Sequence, residues 1–104
     1  MNLIRVTAIV RDAVARYLGL LAHTAKEWDQ GIRDFELALA INDELGAWPY
    51  LAWTRYEYAA LLIDAGRDAE RAEELARLAS SSADELGMEW LGVKAEGLLG
   101  KLGG

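Results

Sequence analysis

The sequence contains no cysteine, one proline, one histidine and one phenylalanine in 104 residues. Without cysteine the chain can form neither a disulfide nor a thiolate zinc site. With a lone histidine, His23, any metal site would have to be built almost wholly from carboxylates. β-Branched residues become sparse after Val14, which argues against a strand-rich fold. Cations are also in deficit: 11 Lys+Arg stand against 17 Asp+Glu, a net charge of −6. The basic residues are scattered, so the clustered cations that displace counterions from nucleic acid are missing. The same balance disfavours an anionic membrane surface. No long apolar run is present either. The opening MNLIRVTAIV is interrupted by Arg5 and followed by Arg11 and Asp12. It therefore reads as neither a signal peptide nor a membrane span, and a cytoplasmic protein is expected. No glycine-rich loop stands in the strand–loop–helix context that phosphate binding requires. No cofactor, catalytic residue or metal ligand set is assigned, and an enzyme is not expected.

What remains is helix-forming. Alanine, leucine and glutamate dominate, and a chain of this length builds one core. The stretch Pro49–Gly66, PYLAWTRYEYAALLIDAG, is apolar on nearly every side. A helix of that kind has to be covered on both flanks. Pro49 suits its first turn, and Gly66 suits the left-handed residue that ends it. Before it, Ile9, Ala13, Tyr17, Leu20, Leu21 and Ala25 recur with helical period in a first helix from about Asn2 to Thr24. Thr24-Ala-Lys-Glu27 is a possible capping box for a second helix. The apolar face of that helix is Trp28, Ile32, Phe35, Leu39 and Leu45, and Gly46 ends it. After the central helix, Arg67–Asp68 opens a fourth, with Ala69, Ala72, Leu75, Ala76, Ala79, Ala83 and Leu86 inward, closed by Gly87. Met88–Leu102 forms a fifth, weakened by Gly92, Gly97 and Gly100.

The chain also repeats itself. Glu44-Leu45-Gly46 recurs as Glu85-Leu86-Gly87, at an offset of 41 residues. The same shift carries Tyr17 to Tyr58, Leu21 to Leu62, Ala38 to Ala79 and Asp43 to Asp84, and Leu20 to Leu61 and on to Leu102, with no gap. Two helical hairpins of one design followed by a single helix are therefore expected. The boundaries are about 8–46 for the first repeat, 49–87 for the second and 88–102 for the final helix, all within one domain. A period of this size signals a solenoid whose units cover one another.

Gly19, Gly31, Phe35 and Ala38, answered by Ala60, Ala72, Ala76 and Ala79, resemble the tetratricopeptide pattern of small residues and a bulky aromatic. The period is longer than the usual roughly 34 residues. With Leu45, Gly46, Pro49, Leu51, Ala52, Thr54, Tyr56, Tyr58, Ala59, Gly66, Arg67 and Glu85–Met88, it is similar to the tetratricopeptide-like regions of large bacterial regulators. Those proteins carry an ATPase module, often with a cyclase or a LuxR-type DNA-binding domain. The resemblance implies an all-α, tetratricopeptide-like solenoid of five helices and a non-enzymatic interaction or scaffold module, here a fragment of such a regulator or derived from one. It also implies that the first helices of each hairpin line a concave, peptide-binding face. By position that face is Arg16, Leu20, His23, Thr54, Glu57, Leu61, Asp64 and Leu98.

Other candidates come from the residues themselves. Trp28 and Tyr56 read as core. Trp48, Tyr50, Trp53 and Trp90 cluster at helix starts and are candidate interface aromatics, since Trp and Tyr are enriched at contact hot spots. His23 and Asp64 share the repeat offset and could pair. Ile4, Ile9 and Val10 at one end, and Leu98, Leu99 and Leu102 at the other, look incompletely covered. A protein or peptide partner, or a second reading as a self-assembling homo-oligomer, most simply a dimer, follows from those open ends.

Overall fold

The computed structural model describes residues 3–46 and 48–103; of Trp48 only the backbone is described. Five α-helices follow in order: α1 (Leu3–Thr24), α2 (Trp28–Leu45), α3 (Trp48–Ala65), α4 (Ala69–Leu86) and α5 (Glu89–Gly103). No strand occurs among the described residues. The fold is all-α, and consecutive helices are one another's main neighbours, with lesser contacts from α1 to α3 and from α3 to α5. The repeat offset is visible in the boundaries: α2 shifted by 41 residues is α4, α1 and α3 end in register, and α3 and α5 start in register.

Local signals explain these limits. Gly46, Gly66 and Gly87 are all left-handed, with φ of 66°, 66° and 72°. The amides of Gly46 and Gly87 donate back to Asn42 and Ala83, which closes α2 and α4. Asp68 caps α4, accepting the Arg71 amide at 3.1 Å. The expected capping box at Thr24–Glu27 does not form. Thr24 is the last residue of α1, and its hydroxyl donates to the Leu20 carbonyl at 3.2 Å. Glu27 holds the cap position of α2 without a side-chain bond, and the turn is made by Lys26 in a left-handed conformation.

The core lies between α2, α3 and α4. Phe35, Leu61, Leu62 and Leu75 are its largest fully buried side chains, with Tyr58, Ala72, Ala76 and Leu98 around them. In α3 only Pro49, Tyr50 and Asp64 are exposed among the described side chains, as an all-round apolar helix requires. Trp28 and Tyr56 are half-buried against this core rather than inside it. Tyr58 ties the three helices together. Its hydroxyl donates to Glu36 at 2.9 Å, its ring stacks on Phe35, and Arg71 lies 5.9 Å over its face. Burial and the Glu36 carboxylate push the Tyr58 phenol well above its ordinary range.

The inward face of α1 differs from the expected one. Ile9, Ala13, Tyr17, Leu21 and Ala25 are exposed, and Leu20 is half-buried. The residues against α2 are instead small or polar: Asp12, Ala15, Gly19 and Ala22. Small side chains let the helices of this hairpin approach closely, so Gly19 sits directly under the Phe35 ring, which a β-carbon there would meet at 3.0 Å.

Asp12 has no polar counterpart in the second repeat, where Trp53 holds its place. It accepts a hydrogen bond from Asn42 Nδ2, and Asn42 also donates to the Ala38 carbonyl at 3.0 Å. Asn42 Oδ1 is buried with no donor. Burial raises the Asp12 carboxyl above the ordinary carboxylate value, against the opposing pull of Arg16 and Asn42. A raised folded-state pKa means that the native state holds this proton more tightly than the unfolded chain. The contribution of Asp12 to stability is therefore fully favourable below its unfolded pKa and is lost as pH rises through the folded value. Asp12→Asn should accordingly raise the melting temperature at pH 7, because it removes the buried charge and offers Asn42 Oδ1 a donor. That gain should shrink as the pH falls toward 3.8, the ordinary value for this group. Thermal melts of both proteins across that range check it; a gain that is constant with pH contradicts it.

Candidate interaction surfaces

Two side-chain pairs join the repeats at the repeat offset. Arg16 donates to both oxygens of Glu57, at 2.5 and 2.9 Å, and His23 Nε2 lies 2.6 Å from Asp64 Oδ2. The Arg16–Glu57 pair is bidentate and half-buried, and it raises the pKa of Arg16 further. These contacts hold α1 beside α3, and they occupy four of the eight positions expected on a concave docking face. Three of the others, Thr54, Leu61 and Leu98, are buried in the interior. Thr54 donates its hydroxyl to the Tyr50 carbonyl at 2.8 Å. Leu20, the eighth, is half-buried against the core. This face is a seam between repeats whose polar side chains are already paired, with three of its side chains buried.

Below the seam, His23, Thr24, Lys26, Trp28 and Asp64 line an open cavity of about 510 Å³. The His23 ring is tilted 59° to Trp28 at 6.0 Å. Asp64 can orient the imidazole. A metal would need more ligands, and among the described residues no group of three His, Cys, Asp or Glu side chains converges on one point.

The candidate aromatics divide. Trp90 is 80% exposed and Tyr50 is exposed. Trp53 is half-buried, edge-on to Tyr56 at 6.1 Å. The side chain of Trp48 lies outside the described residues. At the C-terminal end Leu98 is buried, and Leu99 and Leu102 pack against the core. The exposed large apolar residues of α5 are instead Trp90 and Val93.

Most of the exposed large apolar side chains lie at the other end. Val10, Val14, Tyr17, Leu18 and Leu21 of α1 and Leu37 of α2 are all exposed. The repeat explains why. Tyr17 is 61% exposed but its counterpart Tyr58 only 3%, and Leu21 is 48% exposed but Leu62 only 2%. In α3 these positions belong to the core that α2 helps to close, whereas among the described residues no helix stands before α1. A groove lined by Val10, Arg11, Val14, Leu18, Asp34 and Leu37 results, with a volume of about 250 Å³. Its counterpart one repeat on has Leu51, Arg55, Leu75 and Leu78 at the matching places and is walled by Glu36, Leu39, Ala40 and Asp43 of α2. The sequence pattern points to Ile4, Ile9 and Val10 at this end but not to Val14, Leu18, Asp34 or Leu37. The offset that pairs Tyr17 with Tyr58 was the signal that could have found them.

No protein-family model matches the chain, and searches of curated proteins and of solved structures find no match. Among the described residues no helix is long and apolar enough to cross a membrane.

Proposed function

We propose that the chain is a non-enzymatic protein–protein interaction module of tetratricopeptide-like kind. It would act in the cytoplasm as part of a larger bacterial signalling regulator, with the α1 end as its working surface. One observation carries the reading: positions buried in the second repeat are exposed in the first. A helix covering Tyr17, Leu18 and Leu21 would bury them as Tyr58, Ala59 and Leu62 are buried. Each fully buried side chain of this size is worth about 1.5–3 kcal/mol. Contiguous exposed apolar patches rimmed by polar residues mark contact sites.

A labelled peptide of residues 28–45, the α2 sequence, tests this by fluorescence anisotropy. Saturable binding to the chain is expected, weakened at least about tenfold by Leu21→Glu, the effect of losing about 1.4 kcal/mol. Absence of binding, or binding indifferent to Leu21→Glu, contradicts the proposal.

A further inference from the structure

The groove between α1 and α2 carries its own complement. Arg11 forms no ion pair among the described residues. Asp34 is 8% exposed, accepts one hydrogen bond, from Gln30 Nε2 at 3.0 Å, and likewise has no cationic partner among them. A nearly buried carboxylate without a cation is costly. Both groups line the same groove, among Val10, Val14, Leu18 and Leu37. Asp34 also lines the adjoining cavity with Leu18, Leu21 and Ala22, and the contacts of Asn42 with Asp12 and of Phe35 with Gly19 across the antiparallel hairpin set it about level with Gly19 and Leu20 along α1. Arg11 lies eight to nine residues before that level, about 12–13 Å at 1.5 Å per residue.

These levels have a consequence for symmetry. A two-fold axis crossing α1 near Ala15 exchanges the level of residue 11 with that of residues 19 and 20. Two antiparallel α1 helices related by that axis would place Arg11 of each copy beside Asp34 of the other. Val10, Val14 and Leu18 of each would lie over the other's groove, where α2 walls the equivalent groove of the second repeat. An isologous contact needs a patch that is complementary to itself. A foreign helix would have to supply the cation and the apolar stripe independently; this chain already has both at the required spacing.

We infer that the α1–α2 groove is the site of a two-fold dimer, in which α1 of one copy docks on the groove of the other and Arg11 pairs with Asp34 across the axis. The inference rests on the reading of the α1 end as the working surface and names its occupant as a second copy of the chain.

Sedimentation equilibrium of the full chain across the micromolar range tests it. A reversible species of twice the single-chain mass is expected. Leu18→Glu, at an exposed position, should weaken association at least about tenfold, with the helical circular dichroism unchanged. Arg11→Glu should weaken it as well, whereas Arg11→Lys should retain most of it. An equimolar mixture of Arg11→Glu and Asp34→Lys chains should associate more tightly than either alone, since each mismatch then meets its opposite. Should Asp34→Lys fail to fold, the contrast between Arg11→Glu and Arg11→Lys decides. A single-chain mass at every concentration, or association that ignores Leu18 and Arg11, overturns the dimer. A monomer that still binds the α2 peptide in a Leu21-dependent way overturns the dimer but leaves the docking surface standing.

Discussion

Phe35→Ala is expected to destabilise the chain by about 3–5 kcal/mol, the range for truncating a buried aromatic. Phe35 is the only phenylalanine and, among the described residues, the largest side chain with no exposure at all. It stacks on Tyr58 at 5.7 Å and presses on Gly19, so it touches the first hairpin and the second at once. Its counterpart in the second repeat is Ala76, also fully buried, so the two hairpins fill the same position with very different volumes. Nothing small can collapse into the space under Phe35 without pulling α1 and α3 together. Against a total of roughly 5–15 kcal/mol for a domain of this size, the loss takes a large share of the stability. Chemical denaturation gives the number. Leu37→Ala, two residues away but exposed, should cost well under 1 kcal/mol as long as the chain is monomeric. A Phe35→Ala cost no larger than that of Leu37→Ala would place the core elsewhere.

Gly31→Val is the second large effect, a destabilisation of about 3 kcal/mol, the upper part of the range for overpacking. Gly31 marks where the first repeat presses on the second. A β-carbon there would overlap Leu61 Cδ1 and stand 3.4 Å from the Ala22 β-carbon. Leu61 is fully buried, so its tip has nowhere to retreat. Ala72 holds the same place one repeat on, where the residue matching Leu61 is the half-buried Leu102. Gly31→Ala should therefore fail to deliver the roughly 1 kcal/mol that alanine gains over glycine inside a helix. Gly97→Ala, with nothing within 4 Å of its added carbon, should deliver it. Denaturation curves for the three variants separate packing from propensity. If Gly31→Ala stabilises as much as Gly97→Ala, the contact with Leu61 is not tight.

The residues explain what could be read in advance. Helix ends were legible because Gly46, Gly66 and Gly87 mark them by backbone chemistry, which needs no tertiary context. The offset was legible because both hairpins use the same stops and the same small residues. The inward face of α1 was not. That helix is apolar on two sides, and its bulkier side, with Val14, Tyr17, Leu18 and Leu21, is the one left open. The covered side uses Ala15, Gly19 and Ala22, which carry almost no hydrophobic signal. The Asp12–Asn42 pair escaped for a related reason: a polar residue inside a hairpin reads as surface until its partner, 30 residues away, is known. The seam residues Thr54, Leu61 and Leu98 were placed on an accessible face because position in a repeat fixes direction but not depth. Depth is set by how closely α1, α3 and α5 approach, and Arg16–Glu57 and His23–Asp64 draw the first two together.

The most direct test of the packing order uses the absence of native cysteine. Cysteine pairs introduced at 16 and 57, and at 23 and 64, should be joined rapidly by a short bis-maleimide linker, because these side chains touch across the repeat offset. Pairs at 16 and 64, or at 23 and 57, are out of register by about 10 Å along the helices and should remain open. Linking confined to the in-register pairs is the predicted result; equal linking in all four, or preference for the mismatched ones, would contradict a fold stacked on the forty-one-residue offset.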